Sequence, residues 1–321
     1  MAGANLSPFR VGTCGYSYPG APPEGWSGVF YPKSRGRRVD ELEFYATYFN
    51  AVEINSTFYR PATAAMAKGW VKKTPENFEF AVKVWQKFTH PKKLGMEAGG
   101  SGESWESFDA ADVDLFCQGI APLSDAGKLG PLLFQYPASF HRDKKNLEKL
   151  SQTLAAFEPY RKVVELRHKS WSDDAGETHS LLSRSNSAWA YIDEPKFDSS
   201  VKQELDFSGS IAYLRLHGRN QEKWWRHQAA WERYDYFYPS ASVRRLGVKI
   251  KQLAAQSPTL NLNAGGTFGV SRYGIWYLAL FFPPLLAIAG ALRARPGRSA
   301  VFATGMALAC WYAYVFFRPS L

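Results

Sequence analysis

The chain has 321 residues, 45% of them hydrophobic, which is enough for the core of one (β/α) barrel with an extension or of two ordinary domains. Its formal net charge of +10 is a mild bias towards anionic partners, although a surface with somewhat more lysine than glutamate explains it equally well. Three cysteines exclude a disulfide framework and indicate a reducing compartment. Residues 1–9 carry no apolar core of signal-peptide length, so we expect the barrel in the cytoplasm.

Strand-like and helix-like segments alternate along most of the chain. The strand-like segments are Phe9–Cys14, Ala51–Ser56, Phe78–Val84, Gly130–Tyr136, a segment that begins at Val163, Ala188–Asp193, Ile211–His217 and, more weakly, Thr259–Asn263. The helix-like segments are Asp40–Phe49, Ala62–Lys73, Ala110–Ala126, Asp143–Phe157, Glu177–Arg184, Gln221–Arg233 and Val243–Gln256. An irregular insertion covers Pro91–Ser107. This alternation predicts an α/β fold with a parallel sheet.

Three of the predicted strands carry a polar pair at positions i and i+2 near their C-terminal ends. The pairs are Glu53 and Asn55, Glu165 and Arg167, and Arg215 and His217. Because strand side chains alternate, both members of a pair point to the same face. Burying a charged side chain on the interior side of a strand is unfavourable unless it pairs with an opposite charge or serves in a binding or catalytic site. The pattern predicts a TIM-barrel-like (β/α) barrel whose strand ends converge on one polar mouth.

This mouth is the predicted functional site. It would bind, and could hydrolyse, a phosphorylated or other anionic substrate, for example a sugar phosphate or a nucleic acid. The candidates for acid–base catalysis are Glu165, His217, Glu53 and Asp193. The candidates for substrate binding are Asn55, Lys83, Gln135, Arg167, Arg215, His168, Tyr16, Tyr59 and Trp171. Two alternatives stay open, namely a non-catalytic module that captures an anionic ligand and, for the charged residues, buried structural ion pairs.

Metal and nucleic-acid binding are further alternatives. Five residues have side chains suited to zinc or manganese, namely Glu53, Glu165, His168, Asp193 and His217. None of them has tight local ligand spacing, so a divalent metal is compatible with the sequence and no metal site is assigned. The run from Lys223 to His227 contains Trp224 and Trp225 and could stack on bases, but packing of a helix face on the barrel is the favoured interpretation.

The composition changes after Arg272. Tyr273–Leu292 and Ser299–Phe317 carry no charged residue, and each is long enough to cross a bilayer. Aromatic residues cluster at their ends, as at membrane interfaces. We therefore expect a barrel domain over residues 1–265 and a hydrophobic helical hairpin over 266–321 that anchors it to the cytoplasmic membrane. The alternatives are two buried core helices and a cytoplasmic protein.

Several motifs of the chain resemble the DUF72 family of YecE-like proteins. They are Gly12-Thr13-Cys14-Gly15-Tyr16-Ser17-Tyr18, Val52-Glu53-Ile54-Asn55-Ser56-Thr57-Phe58-Tyr59, Phe80-Ala81-Val82-Lys83, Thr89-His90, Leu133-Phe134-Gln135-Tyr136-Pro137, Glu165-Leu166-Arg167-His168-Lys169-Ser170-Trp171 and Arg215-Leu216-His217-Gly218. They fall in the family's order over about residues 9–265. The resemblance implies a TIM-barrel-like fold and no particular reaction. Two features depart from the family, namely the loosely matching Leu260–Gly266 and the apolar hairpin, which lies outside the resemblance.

Overall fold

The strands and helices are described here from a computed structural model, which covers residues 9–20, 25–32, 39–93, 103–105, 107–203, 211–254 and 260–264. The strands are β1 (Phe9–Thr13), β2 (Ala51–Ile54), β3 (Glu79–Lys83), β4 (Lys92–Lys93), β5 (Glu103–Ser104), β6 (Leu129–Gln135), β7 (Lys162–Glu165), β8 (Ser187–Trp189), β9 (Tyr191–Asp193), β10 (Ala212–Leu216) and β11 (Leu260–Ala264). The helices are α1 (Glu41–Tyr45), α2 (Ala64–Lys72), α3 (Gln86–Thr89), α4 (Ala110–Asp125), α5 (Lys144–Ala156), α6 (Ala175–Arg184), α7 (Gln221–Trp225) and α8 (Ser240–Ala254).

Parallel strands form two sheets that together make the wall of one barrel. One sheet has the order β1-β11-β10-β9 and the other β2-β3-β6-β7-β8. A parallel bridge between Cys14 and Glu53 joins β1 to β2. At the other junction β8 and β9 follow each other across Ala190, whose N–H donates to the carbonyl of Val164. The α/β fold with a parallel sheet is thus confirmed, with its strands arranged as in a TIM barrel.

Close approach of β1 to β2 depends on a glycine. A Cβ atom on Gly12 would lie 2.1 Å from the carbonyl oxygen of Ala51, so no side chain fits there. On the other side, β1 pairs with β11 from Phe9↔Leu260 to Thr13↔Ala264. The strand that the sequence predicts only weakly at Thr259–Asn263 therefore takes its place between β1 and β10, one residue further along the chain.

Several helices have an aspartate or a threonine at the N-cap position, whose side-chain oxygen accepts from backbone N–H groups of the first turn. Asp40 accepts from two backbone N–H groups at the start of α1, Thr63 caps α2, and Asp143 caps α5. Asp109 and Asp112 form a capping box at the start of α4. Each cap satisfies backbone donors that have no partner within the helix, which explains why the helices begin at these residues.

Apolar side chains of the strands divide between two clusters because they alternate along each strand. The larger cluster fills the layer between the barrel and its helices, and Val164 and Leu166 belong to it. The smaller cluster lies inside the barrel and consists of Ala81, Leu133, Val163, Ala188, Ala190, Ile211 and Tyr213. These seven side chains form the apolar core inside the barrel. On each strand, the next residue that shares their face lies two positions later, towards the C-terminal end of the strand.

Two predicted elements differ from the structure. Strand six is interrupted at Ala190, because β8 pairs with β7 whereas β9 pairs with β10. The prediction of one helix over Gln221–Arg233 is wrong, since α7 ends at Trp225 and a separate 3-10 helix follows at Ala230–Tyr234. In a continuous helix Trp224 and Tyr234 would lie about 15 Å apart along the axis. Their rings in fact pack 6.1 Å apart, which requires the break.

The predicted hydrophobic hairpin lies outside the described residues, as does most of the predicted insertion after Pro91. The described ends of that insertion form a short antiparallel pair, β4 with β5. Within the described ranges, no helix has the length and apolar character needed to cross a membrane.

Candidate functional site

A layer of polar side chains lies directly above the small core inside the barrel. Each of its members follows an interior apolar residue by two positions, so both side chains share a face. The pairs are Ala81 and Lys83, Leu133 and Gln135, Val163 and Glu165, and Tyr213 and Arg215. The layer lies at the C-terminal ends of β3, β6, β7 and β10, where barrel enzymes place their active sites.

Arg215 is the centre of this layer. Its guanidinium binds the carboxylate of Glu53 through two bonds, Nε to Oε2 at 3.0 Å and Nη2 to Oε1 at 2.7 Å. Nη1 donates to Oε2 of Glu165, and Nη2 also donates to Sγ of Cys14 at 3.3 Å. Both carboxylates are fully buried, and Arg215 itself is almost fully buried. All three of its nitrogens are therefore engaged within the protein.

The two central carboxylates have further donors. The Tyr213 hydroxyl donates to Oε2 of Glu53 at 2.9 Å. Oε1 of Glu165 accepts from Nε of Arg167 at 2.6 Å and from Nε2 of Gln135 at 2.8 Å. Glu53 and Glu165 thus use their oxygens in hydrogen bonds to the protein, which is the arrangement that buried ion pairs require.

The acidity of these carboxyls follows from that arrangement. Burial by itself would raise the pKa of each, but the charge of Arg215 outweighs it and lowers the pKa of Glu53. For Glu165 the charges of Arg215 and Arg167 together lower the pKa well below its usual value. Both groups are therefore ionised at neutral pH, and donors of the protein already occupy their oxygens.

Lys83 differs from Arg167 and Arg215, the two arginines at the mouth, because its ammonium group has no carboxylate partner among the described residues. Its Nζ donates to Oε1 of Gln135 and lies 3.9 Å from the centroid of the Phe58 ring. Gln135 is oriented by its bond to Glu165, so its amide oxygen must face the lysine. Burial, followed by the charge of Arg215, lowers the pKa of Lys83 to about 8.

His90 contacts the same aromatic ring as Lys83. Its imidazole meets the Phe58 ring edge-on at 4.8 Å between centroids, and Nδ1 lies 3.0 Å from the Thr89 hydroxyl. Burial and the charge of Lys83 lower the pKa of His90 to about 4, so the ring is neutral. A neutral imidazole therefore lies close to the lysine.

His217 is 3% exposed and carries an unsatisfied nitrogen. Nη1 of Arg215 lies 3.3 Å from Nε2 of His217, and because a guanidinium cannot accept, Nε2 is the acceptor. Burial lowers the pKa of His217 to about 4, so the neutral ring holds its proton on Nδ1. No described residue accepts from Nδ1. A buried N–H donor without a partner usually bonds a water molecule or a ligand.

Arg167 keeps terminal donors that no described residue accepts. Its side chain is 22% exposed, and its Nε bonds to Glu165. Neither terminal nitrogen donates to any described residue. Glu194, directly after β9, lies within electrostatic range of Arg167 and Glu165. Burial raises the pKa of Glu194, and no described residue hydrogen-bonds to its carboxyl group.

Asp193 is held apart from this centre. Both of its oxygens accept from Nε of Arg219, at 2.9 and 3.0 Å, and Oδ1 also accepts from Nη2 at 2.7 Å. Asp193, which the sequence predicts as an acid–base residue, is therefore already bound by the guanidinium of Arg219 at the rim of the barrel.

Three further predicted binding residues differ in their exposure and surroundings. Asn55 is half-buried and directly precedes the 3-10 helix Ser56–Phe58. Tyr59 is 72% exposed at the end of that helix. Tyr16 packs on Tyr45 of α1, with 6.4 Å between ring centroids, and belongs to the rim of the larger core cluster between the barrel and its helices.

His168 and Trp171 are structural in this fold. His168 caps the 3-10 helix Lys169–Trp171 through its Nδ1, which accepts from the N–H of Ser170 at 3.2 Å. Trp171 is fully buried, and its indole N–H donates to the carbonyl of Phe140 at 2.7 Å. The Trp171 side chain therefore does not line the mouth, because the turn after β7 directs it into the core.

The five predicted metal ligands do not form one group. His168 serves as a helix cap, Asp193 is bound by Arg219, and Glu53 and Glu165 are joined through Arg215. Among the described residues, no three histidine, cysteine, aspartate or glutamate side chains are close enough together to hold a metal ion.

Aromatic residues after β10 cover His217. Trp224 of α7 meets its ring at 6.3 Å and Tyr234 at 6.0 Å between centroids. The chain turns into this segment at Gly218, whose φ of +81° and lack of space for a Cβ atom, only 2.8 Å from Cβ of Tyr236, require glycine. Of the tryptophan pair, Trp224 is buried and Trp225 is exposed, so only Trp225 is free to stack on a ligand.

Sequence reasoning missed Tyr213, Tyr234 and Glu194. Tyr213 shares the parity of Arg215, two positions later, and this spacing could have identified it. Glu194 follows the last residue of β9, so strand alternation does not apply to it. Tyr234 reaches the site only because the helix breaks after Trp225.

Comparisons with known proteins identify a family and several relatives that match most of the chain. The family described as "Protein of unknown function DUF72" matches residues 10–265. The UPF0759 protein YunF of Bacillus subtilis (strain 168) is 30% identical in an alignment of 259 residues, and the match covers 75% of this chain and 88% of that protein.

Solved structures of two DUF72 family proteins share the fold. The protein from Thermotoga maritima MSB8 superposes with a TM-score of 0.68 at 27% identity, over 87% of this chain and 99% of that one. The protein from Enterococcus faecalis V583 superposes with a TM-score of 0.68 at 20% identity, over 84% of this chain and 94% of that one.

Proposed function

The chain belongs to the DUF72 family of unknown function, and from its site we propose that the barrel mouth binds a small anionic ligand that carries a phosphate or carboxylate group. The observation that carries the proposal is Arg167, whose two terminal nitrogens have no acceptor among the described residues although its Nε is fixed by Glu165. A guanidinium held in this way presents a pre-oriented fork to an oxyanion.

Neighbouring groups add to the attraction for an anion. Lys83 is cationic for the most part at pH 7, since its pKa is about 8. The raised pKa of Glu194 reduces the negative charge that it carries at a given pH. Nδ1–H of His217 offers a further donor without a partner in the described part of the chain. Arg215 is not available to a ligand, because Glu53 and Glu165 use its nitrogens.

Calorimetric titration tests the proposal with inorganic phosphate, ribose 5-phosphate and uncharged ribose. We expect the two phosphates to bind and ribose not to bind. Arg167→Met should weaken phosphate binding by about 10- to 150-fold, which corresponds to the loss of a charge-assisted hydrogen bond of about 1.5–3 kcal/mol. The matched control is Arg161→Met, because Arg161 precedes β7 at the opposite end of the strand and contacts the carbonyl of Leu129.

Equal phosphate affinity in wild type and in a folded Arg167→Met variant would reject the anion site. A single-stranded oligonucleotide in the same panel tests nucleic acid as the ligand. If it binds where the small phosphates do not, the ligand is a polymer, and the exposed Trp225 becomes the residue to examine next.

Hydrolysis is a second candidate function, favoured by the position of the buried Glu194, which directly follows β9 and lies within electrostatic range of Arg167. A carboxyl group with a raised pKa, such as Glu194, can exchange a proton closer to neutral pH than an ordinary glutamate can. If the site is hydrolytic, p-nitrophenyl phosphate should be turned over, and Glu194→Gln should abolish turnover while phosphate still binds. Phosphate binding without turnover in the wild type would leave a non-catalytic anion-binding module.

We further propose, from sequence alone, that residues 273–321 anchor the barrel to the cytoplasmic membrane. The support is two uncharged runs of spanning length, Tyr273–Leu292 and Ser299–Phe317, with aromatic residues at their ends. Full-length protein should sediment with membranes, whereas a chain ending at residue 272 should remain in the supernatant. Monodisperse full-length protein in the supernatant would contradict the anchor.

A further inference from the structure

Lys83 lies in an environment that distinguishes it from the other buried lysines. Nζ of Lys128 is held by the carbonyls of Val71 and Thr74 and by the Thr74 hydroxyl. Nζ of Lys162 is likewise held by three backbone carbonyls, from Phe157, Glu158 and Tyr160. Nζ of Lys83 has a single hydrogen-bond acceptor in the described structure, the amide oxygen of Gln135.

The amide of Gln135 explains how a lysine remains unpaired beside a carboxylate. Gln135 stands between Lys83 and Glu165, accepting from the lysine and donating to the carboxylate. The lysine therefore faces a neutral oxygen, whereas a direct ion pair with Glu165 would hold it in its charged form. On its other side lies the face of the Phe58 ring, which leaves the amine partly desolvated.

We propose that Lys83 forms an imine with an aldehyde or ketone that carries an anionic group. The inference rests on the proposed function, because Arg167 must hold the anionic group while the carbonyl carbon meets Nζ. A desolvated lysine next to other cations, with its pKa brought to about 8, is neutral often enough to act as a nucleophile. Arg167 and Arg215 both lie within electrostatic range of Lys83.

The reaction balances without any further reactant. The neutral amine of Lys83 adds to the carbonyl carbon, and the carbonyl oxygen takes up a proton to give a carbinolamine. The hydroxyl group then leaves with a second proton as water, and a protonated C=N bond remains. In total, an ammonium group and a carbonyl give an iminium ion and one water. Neutral His90, on the same Phe58 ring, is the adjacent base that can take up the proton lost by the Lys83 ammonium and return that same proton to the departing oxygen.

Reductive trapping tests the inference directly. The full chain is incubated with glycolaldehyde phosphate and sodium cyanoborohydride, and the reduced adduct is located by peptide mass spectrometry. We expect one dominant adduct, on Lys83, whose formation rate is half-maximal near pH 8. Lys83→Arg keeps the positive charge and cannot form an imine, so only background labelling should remain. Lys128 and Lys162 serve as internal controls and should stay unlabelled.

Uncharged glycolaldehyde separates the two proposals. It should label Lys83 at least about 10-fold more slowly than glycolaldehyde phosphate, and Arg167→Met should remove that difference, whereas Arg161→Met should preserve it. Equal labelling rates with both aldehydes in the wild type would contradict the anion site. They would also contradict the proposal that the carbonyl substrate carries an anionic group. Phosphate binding that depends on Arg167, without a Lys83 adduct at any pH, would overturn the imine and leave the anion site standing.

Discussion

Arg215→Met should destabilise the barrel strongly, because Arg215 joins two carboxylates that have no access to water. Glu53 would lose both of its bonds to the guanidinium and keep the Tyr213 hydroxyl, whereas Glu165 would keep Arg167 and Gln135. Removing one partner of a buried pair typically costs about 3–5 kcal/mol. For a domain of this size we expect the melting temperature to fall by roughly 6–20 °C, at about 2–4 °C for each kcal/mol.

The pH dependence identifies the cause. In the wild type, Glu53 has a lowered pKa, so the stability that it contributes is present above its unfolded pKa and is lost as the pH falls. In the variant its pKa should rise above the unfolded value of about 4.3, since burial is no longer outweighed. The difference in unfolding free energy between the two proteins should therefore be large at pH 7 and narrow towards pH 4.

Chemical denaturation at pH 7 and pH 4 provides the measurement. Arg215→Met combined with Glu53→Gln should recover part of the loss, because the orphaned charge is then absent. Lys169→Met is the control, since Lys169 pairs with Asp173, both side chains are largely exposed, and the loss should have little effect on the free energy of unfolding. A loss below about 1 kcal/mol for Arg215→Met at pH 7 would show that the central ion pairs do not hold the barrel together.

Three further predictions follow from single residues. Glu194 has a raised pKa, so its ionisation opposes folding as the pH rises, and Glu194→Gln should gain thermal stability relative to wild type between pH 4 and pH 8. Gly218→Ala should lose about 1–3 kcal/mol in denaturation, because φ is +81° and a Cβ atom has no room, and an unchanged midpoint would contradict this geometry. His217 should remain neutral, with its proton on Nδ1, down to about pH 4, which ¹⁵N chemical shifts of the ring can show.

The sequence by itself determined the parallel α/β barrel and the interior parity of four residues at the strand ends. Alternating strands and helices specify a parallel sheet, and parity within each strand places Glu53, Lys83, Glu165 and Arg215 on the interior face. These inferences succeed because both depend on local spacing. Parity also indicates where the small interior core ends, since each polar residue follows an apolar one by two positions.

Tertiary structure alone decided which of these groups are engaged and which remain free. Arg215 and Glu53 are 162 residues apart in sequence, and Arg215 and Glu165 are 50 apart, so no local pattern shows that they pair. Their pairing across the barrel occupies the oxygens of both carboxylates, whereas Arg167 and Lys83 keep donors that no described residue accepts. Whether a charged side chain is paired or available to a ligand depends on its distance from the opposite charge and on how much water is removed from both groups. Closure of the barrel sets both quantities.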